Sequence, residues 1–135
     1  MSEKEAVREA DDRFFAALND LFAGSTEPMD ALWSEREDVV YMGPDGVCLV
    51  GWPAIRADWE RQAEMKLGGE LEARERYFTI GSEIAVVHHT ARGANVDADG
   101  NAEEVSIRGT NVFRMENGAW KMIAHHSDPL PYLKA

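Results

Sequence analysis

The chain has 135 residues and a mass of 15.1 kDa, the size of one domain around one core, and its 44% apolar and 29% charged residues exclude disordered, collagen-like and disulfide-scaffold classes. Lysine and arginine number 14 against 25 aspartates and glutamates, a net charge of −11 that repels a polyanion such as DNA. The lone Cys48 excludes an internal disulfide and a cysteine zinc cluster.

The opening MSEKEAVREADD is charged from Glu3 onward and lacks the apolar stretch of a secretory signal. No segment approaches the roughly 20 apolar residues that span a bilayer. A cytoplasmic protein that engages neither nucleic acid nor membrane is the expectation. A first helix is predicted from Ser2 to Phe22, because Val7, Ala10, Phe14, Leu18 and Leu21 recur on one face, with Phe15 and Phe22 widening it. Gly24, Ser25 and Thr26 interrupt it, and Pro28 opens a short helix reaching Trp33. Val39 to Tyr41 and Val47 to Val50 read as a small hairpin around the turn Gly43 to Gly46. Pro53 opens a third helix, with Ile55, Trp59 and Ala63 on one side, and Gly68-Gly69 ends it. Four strands follow: Leu71 to Ile80, Glu83 to Ala94, Glu103 to Met115 and Ala119 to Ser127. The fold class is therefore α+β, one domain over residues 1–135, with helices on one face of a curved antiparallel sheet enclosing a conical pocket.

The turns predict which side chains face that pocket. Taking Asn117-Gly118 and Asp99-Gly100 as two-residue loops pairs Met115 with Trp120, Phe113 with Met122, Asn111 with Ala124 and Gly109 with His126. The same counting pairs His88 with Asn111, Thr90 with Gly109 and Arg92 with Ile107. His88, Thr90, Arg92, Asn111 and His126 are then expected inside, beside Phe113, Trp120 and Met122. Arg108, Thr110, Val112, Arg114, Lys121, Ile123, His125 and Ser127 are expected on the opposite face.

Three stretches carry a family likeness: RFFAALN from Arg13 to Asn19, VVYMGPDGVCLVG from Val39 to Gly51, and the run from Asn111 to Ser127 that contains FRMENGAWKMIAHHS. Their order resembles the nuclear transport factor 2-like superfamily, in particular its SnoaL-like and ketosteroid isomerase-like branches, with a cystatin-like fold. The closing WKMIAHHS is also similar to the association domain of calcium/calmodulin-dependent kinases. The resemblance to steroid isomerases implies an aspartate base and an oxyanion hole of a tyrosine and a protonated aspartic acid. Those roles fall on Gly43, Phe14 and Asn111 here, so the first two are empty and the third is altered. Steroid isomerisation by that route is not expected.

His126, Asn111 and His88 remain as the candidate catalytic set, His126 first because an inward imidazole titrates near neutrality and can move a proton. Arg92 is the candidate to hold an anionic group. Phe14, Phe15, Trp33, Tyr41, Trp52, Trp59, Phe113 and Met122 are the candidate apolar wall for a flat or acyl ligand. Asp58 and Glu60 read as solvent-facing. No metal or other cofactor is expected: His88-His89 and His125-His126 each send neighbours to opposite faces, and the segment NVDADG from Asn95 to Gly100 lacks the closing glutamate of a calcium loop. The expected function is binding of a small hydrophobic metabolite, with SnoaL-like proton transfer, as in isomerases, cyclases or dehydratases, as its catalytic form. The alternative is a non-catalytic homo-oligomerisation or binding module. A homodimer suits both, built on a surface centred on Thr110, Val112 and Ile123 with Arg108, Arg114 and Lys121 at its edges.

Overall fold

The computed structural model describes residues 2–128. Helix α1 (Glu3–Phe22) starts where Ser2 accepts a hydrogen bond from the Glu5 amide at 3.1 Å, and Glu3 and Glu5 sit at the positive end of its dipole. The short helix α2 (Glu27–Leu32) carries proline in its first turn, and α3 (Trp52–Met65) does likewise before Lys66 ends it in the left-handed region at φ 46°. Both prolines lie where a helix has no amide bond to lose. The strands are β1 (Val40–Met42), β2 (Cys48–Val50), β3 (Glu70–Ile80), β4 (Ile84–Val96), β5 (Ala102–Glu116) and β6 (Ala119–Ser127). They form one sheet in the order β2-β1-β6-β5-β4-β3, antiparallel except where β1 runs parallel to β6. None of the described helices is long and apolar enough to cross a membrane.

One face of the sheet is covered by the helices, and the core lies between. Val7, Ala10, Phe14, Leu18 and Leu21 of α1 are all buried as their spacing predicts, against Leu71, Ala85, Val87, Ala91, Phe113 and Met122 from the strands. Asn19 ties α1 to the sheet's edge strand, its amide nitrogen donating to the Leu71 carbonyl at 3.1 Å and its carbonyl accepting from the Leu71 amide at 2.8 Å.

Two features shift the expected register by one residue. The β4–β5 connection is a five-residue loop, Asp97 to Asn101, between the pair Val96 and Ala102. The Asp97 carboxylate holds that loop by accepting from the amides of Asp99 and Asn101, both at 2.9 Å. His88 accordingly pairs with Thr110 and His89 with Gly109. The Asn117-Gly118 turn is the expected two-residue one, with both residues at positive φ (52° and 83°), and it does set Met115 against Trp120 and Phe113 against Met122. Beyond it β6 carries an extra residue: Val112 pairs with Ala124, so Ile123 is a bulge and the rest of the strand is turned over. Asn111 then faces His125, Thr110 faces His126 and Gly109 faces Ser127.

Asn19→Ala removes both edge bonds at once, and at about 1 kcal/mol each it should lower stability by about 2 kcal/mol in urea unfolding with an unchanged denaturant slope.

Candidate functional site

The shifted register brings in a different set of imidazoles from the one expected. His89 and His125 are 4% and 5% exposed on the covered face, whereas His88 and His126 lie exposed on the outer face. His126 bonds there to Asp128 at 2.7 Å. The inward placement of His88, Thr90, Arg92 and His126 is thus corrected: a loop three residues longer than assumed moved the first three, and the bulge moved the last. His125 and Ser127, expected outside, are inside. Asn111 keeps its inward place, because it lies on β5, whose facing neither shift alters. A signal for the β4 facing stands in the sequence: Ala85, Val87 and Ala91 alternate with His88, Thr90 and Arg92, and the apolar set belongs in the core.

A partly open cavity of about 140 Å³ lies between α1, α3 and the covered face. Of the expected wall, Phe14, Phe15, Tyr41 and Trp59 line it, together with His89, His125 and Ser127. Trp33, Trp52, Phe113 and Met122 are buried in the core away from that lining, with Trp33 against Trp52 at 6.3 Å and against Trp59 at 6.2 Å between ring centres. Leu18 and Phe22, placed on the apolar face of α1 by their periodicity, and Leu71 and Ile107, not singled out in the sequence as site residues, add to the apolar wall.

Three rings form a layered row along one side. Tyr41 and His125 lie 5.7 Å apart at 16°, and His125 and His89 lie 6.3 Å apart at 20°. Gly109 makes the row possible, since a Cβ there would stand 2.8 Å from His89 Nε2. Phe14 tilts over His125 at 4.9 Å and Phe15 meets His89 edge-on at 5.0 Å. Gly43 has a similar function on the far side, because the Tyr41 hydroxyl occupies the space a side chain at 43 would need. The positions that resemblance assigned to isomerase chemistry therefore hold a phenyl ring, a glycine whose side-chain space the Tyr41 phenol fills, and an amide already engaged.

The polar groups differ in how well they are satisfied. His125 Nδ1 lies 2.5 Å from Asn111 Oδ1 and its Nε2 lies 3.1 Å from Ser127 Oγ. Asn111 donates on to the fully buried Asp11 at 2.8 Å, and Arg76 donates to Asp11 at 3.2 Å and to Asp12. Burial raises the Asp11 pKa, opposed by its bonds from Asn111 and Arg76. Tyr41 accepts from Gln62 at 3.1 Å, and burial pushes its phenol up to about 12. His89 is not satisfied: neither ring nitrogen has a partner among the described residues, and the Trp59 indole N–H on the same wall has none either. Burial, with Arg76 and His88 adding to it, pushes His89 down to about 4, and burial pushes His125 down to about 3, so both rings are neutral at pH 7. Among the described residues no three His, Cys, Asp or Glu side chains gather as a metal would need.

The SnoaL-like domain model matches residues 5–131. The chain belongs to the SnoaL-like domain family. No curated protein matches it at a significant level. Among solved structures, a candidate calcium/calmodulin-dependent protein kinase type II association domain from Thiobacillus denitrificans is 25% identical, covering 90% of this chain and 92% of its own, with a TM-score of 0.75. A candidate dehydratase of the nuclear transport factor 2-like family from Streptomyces avermitilis is 19% identical over 95% and 97% of the two chains, with a TM-score of 0.79. A protein with a cystatin-like fold from Caulobacter vibrioides is 19% identical over 96% and 91%, with a TM-score of 0.76. The fold is accordingly the cystatin-like α+β fold of the SnoaL-like and nuclear transport factor 2-like proteins, while those likenesses at 19% identity speak to architecture alone.

The depressed His89 pKa has a sign that can be tested. The unfolded chain takes up that proton near pH 6.5 and the folded chain near pH 4, so acidification across this window favours unfolding by on the order of 3 kcal/mol. Asp11, with its raised pKa, acts in the opposite sense. His89→Leu should therefore lose distinctly less stability than the parent between pH 7 and pH 4.5 in parallel urea titrations, both retaining Asp11.

Proposed function

We propose that this SnoaL-like protein binds a small, neutral, hydrophobic molecule about the size of one six-membered ring and carrying one hydrogen-bonding oxygen. The observation that carries this reading is His89, buried with both ring nitrogens unpartnered on the wall of an apolar cavity. A buried polar group left unpaired costs about 1 to 3 kcal/mol, which a guest with an oxygen atom offsets. Size sets the class of guest. The cavity of about 140 Å³ is close to the roughly 150 Å³ that accepts benzene and below the roughly 300 Å³ where drug-sized sites begin, so a steroid is too large.

Binding is favoured over turnover on magnitude. A base with a pKa about 4 is some hundreds of times less basic than an ordinary imidazole, and efficient general bases work near ambient pH. Benzene and phenol should each saturate the protein in titrations followed by NMR, with His89→Leu weakening phenol by about tenfold, or about 1.4 kcal/mol, and leaving benzene nearly unchanged. Filling the cavity with Ile107→Phe should abolish both. Saturable binding that survives Ile107→Phe, or no binding to the parent, contradicts the proposal. Deuterium exchange at the α-carbon of cyclohexanone should match the protein-free rate, and an exchange lost in His89→Leu would replace the binding reading by an enzymatic one.

A second reading concerns the outer face, where one row across five strands, Val86, Val112, Ala124, Val40 and Val50, is apolar throughout. We propose that two copies of the chain meet on this row, as the similarity to a kinase association domain also suggests. Val50 is exposed and the other four are half-buried, and a continuous apolar row on the uncovered face of a sheet marks an interaction surface. Light scattering should give a dimer mass, and Val112→Asp a monomer with its fold intact.

A further inference from the structure

The polar floor of the cavity is one end of a hydrogen-bond chain whose direction is set at the other end. Asp11 is fully buried, and each carboxylate oxygen accepts one bond, Oδ1 from Asn111 Nδ2 at 2.8 Å and Oδ2 from Arg76 Nη1 at 3.2 Å. A carboxylate only accepts, so Asn111 turns its amide nitrogen toward Asp11 and its carbonyl toward His125. That carbonyl also only accepts, and the ring nitrogen 2.5 Å from it, Nδ1 of the neutral His125, must carry the proton. The lone pair is then on Nε2, and Ser127 Oγ at 3.1 Å is the donor to it. Ser127 has one hydroxyl proton. With that proton directed at His125, the serine presents only lone pairs to the cavity it lines.

We propose that Asp11, acting through Asn111 and His125, makes Ser127 an acceptor toward the cavity and so selects guests that donate a hydrogen bond, small ring alcohols and phenols over ethers and ketones of equal size. This rests on the reading that the cavity binds a small apolar molecule. Ser127 is the contact residue, and Asp11, Asn111 and His125 are positioning residues. A neutral His89 has one ring N–H and one lone pair, both unpartnered among the described residues. A hydroxyl guest can accept from the His89 N–H and donate to Ser127, which an ether cannot.

Asp11→Asn reverses the chain. Arg76 holds the new side chain by its oxygen, which turns the new amide nitrogen toward Asn111. The Asn111 amide then flips, donates to His125 Nδ1 and leaves the proton on Nε2, which donates to Ser127 and frees the serine proton for the cavity. Two measurements on the full chain test this: the His125 tautomer from imidazole nitrogen shifts in long-range proton–nitrogen NMR, and dissociation constants for phenol, anisole and benzene. The parent should show the Nδ1–H tautomer and bind phenol about tenfold more tightly than anisole, close to the worth of one hydrogen bond. Asp11→Asn should show Nε2–H and lower that ratio to one or below. Ser127→Ala, which leaves the Asp11–Asn111 pair in place, should erase the preference while benzene affinity holds. An Nε2–H tautomer in the parent overturns the proposal, as does a phenol-to-anisole ratio unmoved by Ser127→Ala while benzene still binds. If none of the three probes binds, the binding reading falls and the selection with it, whereas the tautomer, measured without any probe, separately decides the direction of the chain.

Discussion

A single extra residue in β6 decides what the interior of this protein contains. Strand side chains alternate strictly, so a sheet that continued in register from the Asn117-Gly118 turn would turn His126 inward and His125 outward. The bulge at Ile123 reverses that assignment for every residue after it. Its position has a physical reason in the neighbouring chain. Before the bulge, Met122 accepts from the Ser34 amide at 2.9 Å and pairs with Trp33; after it, Ala124, His125 and His126 pair with β1. The strand changes partner at the point where it bulges, and the change lays Tyr41 beside His125.

The bulge turns His125 and Ser127 inward to join Asp11 and Asn111, and the cost of burying this polar set is largely compensated. Asp11, Asn111, His125 and Ser127 are each 5% exposed or less, and each would lose about 1 to 3 kcal/mol if left unpaired. They are bonded to one another, and Arg76, 16% exposed at its side chain, supplies the charge that Asp11 requires. Removing the counter-charge of a buried carboxylate costs about 3 to 5 kcal/mol, so this chain acts as a structural unit that joins α1 to β3, β5 and β6. His89 stands outside it. An interior that satisfies four polar groups in sequence and leaves the next imidazole without partners has the form of a site that a guest completes.

Much of the architecture was legible in the sequence because its signals are local. Periodicity in α1, Pro28 and Pro53 at helix starts, and the Asn117-Gly118 turn each act over a few residues, and each stands where expected. The resemblance to SnoaL-like proteins likewise rests on patterns of whole elements. The site was less legible, because it depends on counting alternation over ten or more residues from a turn, where one irregularity inverts the result. At the β4–β5 connection the sequence held the correction: the polar line of His88, Thr90 and Arg92 against Ala85, Val87 and Ala91, and an Asp97 able to cap a longer loop. At the bulge it held little. Met122, Ile123 and Ala124 are consecutive apolar residues that fit either face, and the partner switch that favours the bulge comes from a segment some ninety residues earlier, where Ser34 and β1 meet β6.

Differential modification of the four histidines by diethyl pyrocarbonate, mapped by mass spectrometry under native conditions, reads the facing directly. His88 and His126 should be modified rapidly, and His89 and His125 should stay protected until the protein unfolds. Protection of His88 and His126 with modification of their neighbours would place the strands in the uninterrupted register and remove the interior described above.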